Sequence, residues 1–440
     1  MGKPKLTMLF LIILLTSLYP LSELHVNATS SSSSTDDWPM FHHDTAHTGA
    51  TTSSAPTSAP SVIWSLGQQE LQGQGFNFGS AVIVNGVLYI SGGSSLWALN
   101  ASIGDTLWKV REIGSSYIVV QNGVAYTSTY GAAYNATSGA QLWNTTDSIT
   151  AVLAVANGYF YSLNKEGFLV GRNSSTGAVI WDSVISPSYS SPAVAYGNLY
   201  FGIGSGLKAL NAYSGTIVWQ YDKAGTVICS PAVSSGRVYF GSLDNKFYCN
   251  NALTGEIVWN YTMAGKITSS PAVADGYVYV GSLDGNVYAF NASTGEKIWS
   301  YYTNPPVFRD WPLGVRSSPA IAAGTVYVCS DDGNLYALNA YTGKKLWNYT
   351  LQSPFDKFGN PQELSASPAI ANGRIYIGSS DRFVVLETNT NTTTPTISPT
   401  VSPASEHADE MLIVTLLLIV IVATVAVIAF RKKLSAKWPS

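Results

Sequence analysis

The chain has 440 residues, 11% of them charged and 46% hydrophobic, with 39 Gly, 26 Tyr, 12 Trp and a net charge of -3. So little charge, with no run of five like charges, excludes a nucleic-acid surface. The aromatic content excludes disorder over most of the length, and three widely spaced cysteines (Cys229, Cys249, Cys329) exclude a disulfide scaffold.

In chain order, residues 1–28 read as a secretory signal. Lys3 and Lys5 precede an apolar run over 6–18, and Val26-Asn27-Ala28 offers small residues at cleavage spacing. An uncleaved anchor is the alternative, although the run is short for a span. Residues 29–61 are predicted to be a lead-in segment and spacer, rich in Ser and Thr over 29–35 and 51–60. Residues 62–388 hold the folded repeat, and residues 389–410, mostly Thr, Ser, Pro and Asn, cannot build a core and read as a stalk. Residues 411–430 carry no charge and would span about 30 Å as a helix, which predicts a membrane crossing. Arg431, Lys432 and Lys433 follow it, so the tail 431–440 is expected in the cytoplasm and the rest outside, a single-pass cell-membrane topology. Nine Asn-x-Ser/Thr sequons, at Asn27, Asn100, Asn135, Asn144, Asn173, Asn260, Asn291, Asn348 and Asn391, fit an exported glycoprotein.

Self-similarity decides the fold of the middle. The stretch from Ser270-Pro271-Ala272 to Trp299 is one clear unit, with relatives starting at Ser191, Ser230, Ser318 and Ser367 and weaker copies from Gly79, Ser116 and Thr150. Units close on Trp108, Trp143, Trp181, Trp219, Trp259, Trp299 and Trp347, at successive gaps of 35, 38, 38, 40, 40 and 48 residues. Within the unit from Ser230, strands are predicted at 232–233, 237–241, 246–249 and 256–261. Ser-Gly, Leu-Asp-Asn and Thr-Gly turns separate them. Four short strands per forty residues make a propeller blade. The unit from Ser367 lacks a tryptophan, but Val62-Ile63-Trp64-Ser65 has the form of an outermost strand. Joining the two gives an all-β, eight-bladed propeller that closes by pairing the chain's ends. Seven blades with a spare strand is the alternative.

Ala289 to Gly295 to Trp299, with its copies in the other units, resembles the tryptophan-docking motif of the PQQ-repeat, quinoprotein-like propellers. The resemblance covers roughly 38–386, and the segment from Asp37-Trp38-Pro39-Met40 to His47-Thr48-Gly49 is similar to the lead-in of such propellers. It implies that Trp64 and the seven repeat tryptophans are structural docking residues. Each would remove about 150–250 Å² from water.

Chemistry is sparse. Quinone-using members of the family carry adjacent cysteines and a calcium site of carboxylates and Asn. This chain has no Cys-Cys pair, and its cysteines stand where other units have Ser269, Ala289 and Gly281, so buried thiols and no bound quinone are expected. His42, His43, Asp44 and His47 have spacing that suits zinc or copper. They lie in the lead-in segment, however, and no metal is expected. Turn carboxylates Asp244, Asp284, Asp331, Asp332 and Asp381 recur because the turn wants Asp.

Departures from the repeat are more informative. The link from Trp299 to Ser318 spans 19 residues against 11 from Trp259 to Ser270, and contains Arg309, Trp311 and Arg316. The link from Trp347 to Ser367 is also long and holds Phe355 and Phe358. Those five residues are the expected partner-binding anchors, for protein or glycan at the cell surface. The competing reading is a pair of loops that pack on each other and cover the channel mouth. The resulting expectation is a membrane-anchored, non-catalytic binding or scaffold module. A quinone-dependent dehydrogenase or a sugar-acting extracellular enzyme is the alternative.

Overall fold

Thirty-three short strands, and no helix, make up the described part of this computed structural model, which covers residues 37–67, 81–92, 95–111, 117–128, 131–145, 149–164, 166–185, 190–306, 313–380 and 382–388. The signal, the stalk, the apolar stretch 411–430, the tail, and Arg309 and Trp311 lie outside the described residues. Among those described, no helix is long and apolar enough to cross a membrane.

The strands form eight sheets, each with four antiparallel strands and one of them with a fifth, parallel strand. Blades 1 to 7 occupy 82–111, 118–144, 149–184, 193–221, 232–262, 272–302 and 320–350. Blade 8 takes its three inner strands, Ala369–Ala371, Arg374–Gly378 and Arg382–Thr388, from the end of the repeat and its outer strand, Pro60–Gly67, from the beginning. Trp64 sits opposite Val385 in that pairing. The innermost strands neighbour one another around a closed ring, with blade 8 against blade 1. Eight blades, not seven, is the architecture.

Period-2 alternation explains each blade. In Tyr277–Gly281 and Asn286–Asn291 all the middle residues are buried, because both faces of a central strand meet a neighbouring blade. The outer strand Lys297–Tyr302 instead alternates, burying Trp299 and exposing Lys297 and Ser300. All eight indoles donate to a backbone carbonyl at 2.8–3.2 Å, seven of them to the next unit. Trp64 reaches Ala101, Trp108 Ala136, Trp143 Ser174, Trp181 Ala212, Trp219 Ala252, Trp259 Ala292 and Trp299 Ala340. Trp347 reaches Pro56 O, since blade 8 has no internal turn to offer an alanine. Gly255 shows why the motif needs glycine: its φ is +75°, and a Cβ there would sit 2.6 Å from the Trp219 ring.

Residues 38–51 run along the inner strands, on the channel side of the ring. Trp38 exchanges backbone bonds with Ile83 of blade 1, and Pro39 O accepts from Val120 of blade 2. Thr45, Ala46, Thr48 and Gly49 accept in turn from Val194, Val233, Val273 and Ile321 of blades 4 to 7. Ala50–Thr51 then adds a parallel strand inside blade 7. Residues 51–60, expected as a spacer from their composition, pack with Ser53 buried and Pro56 holding both Trp347 and the Tyr327 hydroxyl.

Candidate functional site

Two places could carry function: the axis and the rim formed by the long links. On the axis, His42 and His47 are both buried, with ring centroids 6.5 Å apart. Burial holds His42 down to about 3 and His47 to about 4, so both rings are neutral at physiological pH. His42 Nδ1 lies 3.4 Å from His47 O, and Phe41 packs on both rings. Asp44 binds the Thr48 N–H and hydroxyl, which draws its carboxylate into the turn. Among the described residues no three His, Cys, Asp or Glu side chains converge as metal ligands. These histidines shape a turn with left-handed backbone at His42, His43 and His47.

The same segment bears on a quinone. A flat cofactor needs an open slot near the axis and a cation site beside it. Here chain 38–51 lies along the inner strands and hydrogen-bonds six of the eight. The residues present do not fit the group. The three cysteines are free and buried. Cys229 Sγ accepts from the Gly241 N–H as Ser269 Oγ does from Gly281, and burial pushes the Cys229 and Cys249 thiols up to about 12. Such thiols are packing groups without nucleophilic character.

The rim is built differently. Asp331 is fully buried in the turn between the second and third strands of blade 7. Its Oδ2 accepts from the Gly314 N–H at 2.9 Å and from Arg316 Nε at 3.0 Å, and its Oδ1 accepts from the Leu364 N–H at 2.9 Å. Arg316 also pairs with Glu363 at 3.0 Å and is only 16% exposed. One carboxylate therefore ties the link after blade 6 to the link after blade 7, and the structure gives Arg316 a bracing role. Sequence reasoning counted Asp331 only as a turn carboxylate, although a signal for more existed. Ser330-Asp331-Asp332-Gly333 puts a carboxylate where the sister turns have Leu243 and Leu283.

On that brace stands a small finger. Asp356 Oδ1 accepts from the Phe358 and Asn360 N–H groups, both at 2.8 Å, and Oδ2 accepts from Asn360 Nδ2 at 3.0 Å. These bonds hold the Asp356 carboxyl below the usual range. Phe355 bridges to Pro361 at the base and is half-buried. Phe358 at the tip is 78% exposed, the highest value among the described large hydrophobic side chains. The Lys357 ammonium lies 5.0 Å from its ring centroid. An apolar ring held out on a hydrogen-bonded turn has little order left to lose on docking.

Residues 128–230 and 204–433 match the family described as outer membrane protein assembly factor BamB, more than half of the chain. The BamB of Legionella pneumophila (strain Paris) is 29% identical over 127 residues, which is 28% of this chain and 33% of that protein. The match thus spans only a third of that relative's length. Among solved structures, BamB from Moraxella catarrhalis superposes with a TM-score of 0.57 and 17% identity, over 75% of this chain and all of that one. Quinohemoprotein alcohol dehydrogenase from Comamonas testosteroni gives 0.64 and 13%, over 80% of each chain. At such identities the structural likenesses establish the fold alone.

Proposed function

The chain belongs to the outer membrane protein assembly factor BamB family, and from that premise we propose that it is a non-catalytic scaffold that holds a protein partner at its rim. The observation that carries the reading is the braced finger with Phe358 exposed at its tip. The relatives are outer membrane protein assembly factors by name, which favours a protein over a glycan as the occupant. Phe358 and the half-buried Phe355 supply apolar area, and Arg309 and Trp311 belong in sequence to the other long link, the one after blade 6.

The scaffold works outside the membrane, held by a helix over 411–430 with the tail 431–440 in the cytoplasm. Support for this is the uncharged stretch and the basic residues that follow it. Protease added to intact cells should remove the propeller and spare the tail, and a protected propeller would overturn this topology.

The dehydrogenase fold shared with the Comamonas enzyme is the second reading. Against it stands the lead-in segment along the axis. The deciding experiment is chemical crosslinking of the full chain in cells, with Phe358→Ala as the variant, beside a dye-reduction assay with added quinone and calcium. Loss of one specific crosslink without dye reduction supports the scaffold. Dye reduction at enzyme-like rates refutes it.

A further inference from the structure

The two ends of the propeller differ in what they expose. In every blade the first hairpin and the turn between the third and fourth strands lie at one end. The links between blades lie at the other, with the brace and the finger. Among the described residues, every exposed large hydrophobic side chain except Tyr117, Val184, Tyr302 and Phe358 belongs to the hairpin end. Each sits in a hairpin, in a turn, or in the first half of an outer strand.

The crowding is clearest on the neighbouring blades 4 and 5, and its cause is local. A bulge before Trp219 and before Trp259 breaks the strand alternation. Two successive residues therefore face water, Ile217 and Val218 in one blade and Ile257 and Val258 in the other. The turns add Tyr213 and Leu253, 50% and 59% exposed. The Tyr196 hydroxyl accepts from the Gly236 N–H at 2.8 Å, which sets the two groups side by side. Single exposed apolar residues are ordinary, whereas a contiguous group marks a docking surface. The hairpins and turns of these two blades carry only Arg237 and Glu256 as charges, which cancel.

The course of the chain identifies the occupant. Thr388, the last described residue, pairs with Pro60 at this same end. The uncharged stretch 411–430 follows after residues 389–410, a tether of about 75 Å at full stretch. We propose that the hairpin end, over blades 4 and 5, rests on the headgroup layer of the bilayer that 411–430 spans. The proposal rests on the membrane topology put forward above. Tyr, with an apolar ring and a polar tip, suits that layer, and shallow Ile, Leu and Val side chains enter it without spanning. A balanced end needs no anionic lipid. The tether makes this contact intramolecular, so a weak affinity is enough to hold it. Phe358, at the opposite end, is then turned away from the membrane and open to a partner.

The test uses the full chain in phosphatidylcholine vesicles doped with lipid spin-labelled near the headgroup. A nitrobenzoxadiazole label is placed at Leu253→Cys or at Phe358→Cys, and the three buried native thiols leave the labelling selective. The label at position 253 should shift to shorter wavelength and lose most of its emission, and the label at position 358 should do neither. Tyr213→Ser with Ile217→Thr and Val218→Thr should restore most of the lost emission at an unchanged melting temperature, since all three are exposed. Resistance to alkaline carbonate extraction reads the anchor separately. A chain that stays with the vesicles while the label at 253 is unquenched overturns this proposal and leaves the anchor standing. A chain that washes off overturns the anchor, and this proposal with it. Equal quenching at both ends, indifference to the triple variant, or a detergent-solubilised dimer split by Leu253→Asp would each overturn the bilayer as the occupant.

Discussion

Blades 4 to 6 and the arc from blade 7 through 8 to 1 use one docking bond to opposite ends. In the regular arc each indole meets an alanine carbonyl of the next blade, the links joining these blades are short, and the turn carboxylates Asp244 and Asp284 bind their own tyrosines, Tyr248 and Tyr288, at 2.7 and 2.8 Å, as Asp332 binds Tyr336 in blade 7. In the closing arc the acceptor for Trp347 is borrowed from Pro56, the outer strand of blade 8 from the chain's beginning, and a buried Asp331 takes a leucine's place. Repetition supplies stability, while the places where it breaks hold the brace and the finger.

The sharpest challenge to this contrast is in the regular arc. Gly255→Val puts a β-branched side chain at φ +75° and against the Trp219 ring. It should destabilise by about 3–5 kcal/mol, read as a large drop in calorimetric melting temperature. A neutral result would mean the docking motif is not what holds the blades.

In the closing arc, Asp331→Leu restores the repeat's residue but takes the acceptor from Arg316 Nε and from the Gly314 and Leu364 N–H groups, and should cost about 3 kcal/mol, the range for one partner removed from a buried ion pair. Asp331→Leu with Arg316→Leu should regain the share due to the charge but not the share due to the Gly314 and Leu364 N–H groups, as read in urea unfolding. If the double variant is no better than the single one, the brace is not the reason for the exchange.

Acid acts on the axis beside blades 5 and 6, where His47 and His42 lie near the Pro231 and Pro271 carbonyls. Both rings have folded values below the ordinary 6.5, so the unfolded chain binds more protons as pH falls from about 6.5 toward 4. Stability is therefore full above that window and is lost going down through it, by up to about 1.4 kcal/mol per pH unit for each ring. Urea midpoints at pH 7, 6 and 5 measure the slope, and His47→Gln should remove one ring's share. A flat profile would mean that the rings are solvated.

The smallest expected effect is the most diagnostic. Phe358→Ala touches an exposed tip and should shift stability by less than about 0.5 kcal/mol while removing the partner crosslink. A large loss of stability would make the finger a cover for the channel mouth.

The blades were legible in the sequence because their causes are local. Alternation at Tyr277–Gly281, the Asp and Gly of each turn, and the spacing from Ala289 through Gly295 to Trp299 act within forty residues and repeat. The pairing of the Trp64 strand with blade 8 was legible too, because the last unit lacked a tryptophan and only one segment had the form to supply it. What the tertiary structure decided depends on groups that the ring brings together from far along the chain. Pro56 accepts from Trp347 across 291 positions, and the lead-in segment finds six inner strands only after the ring exists. Arg316 reads in sequence as an exposed anchor, and becomes a brace because folding delivers a buried carboxylate 15 residues away in the chain. A charge's role is set by the partner that desolvation forces on it, and that partner is fixed by the closed ring, not by the local pattern.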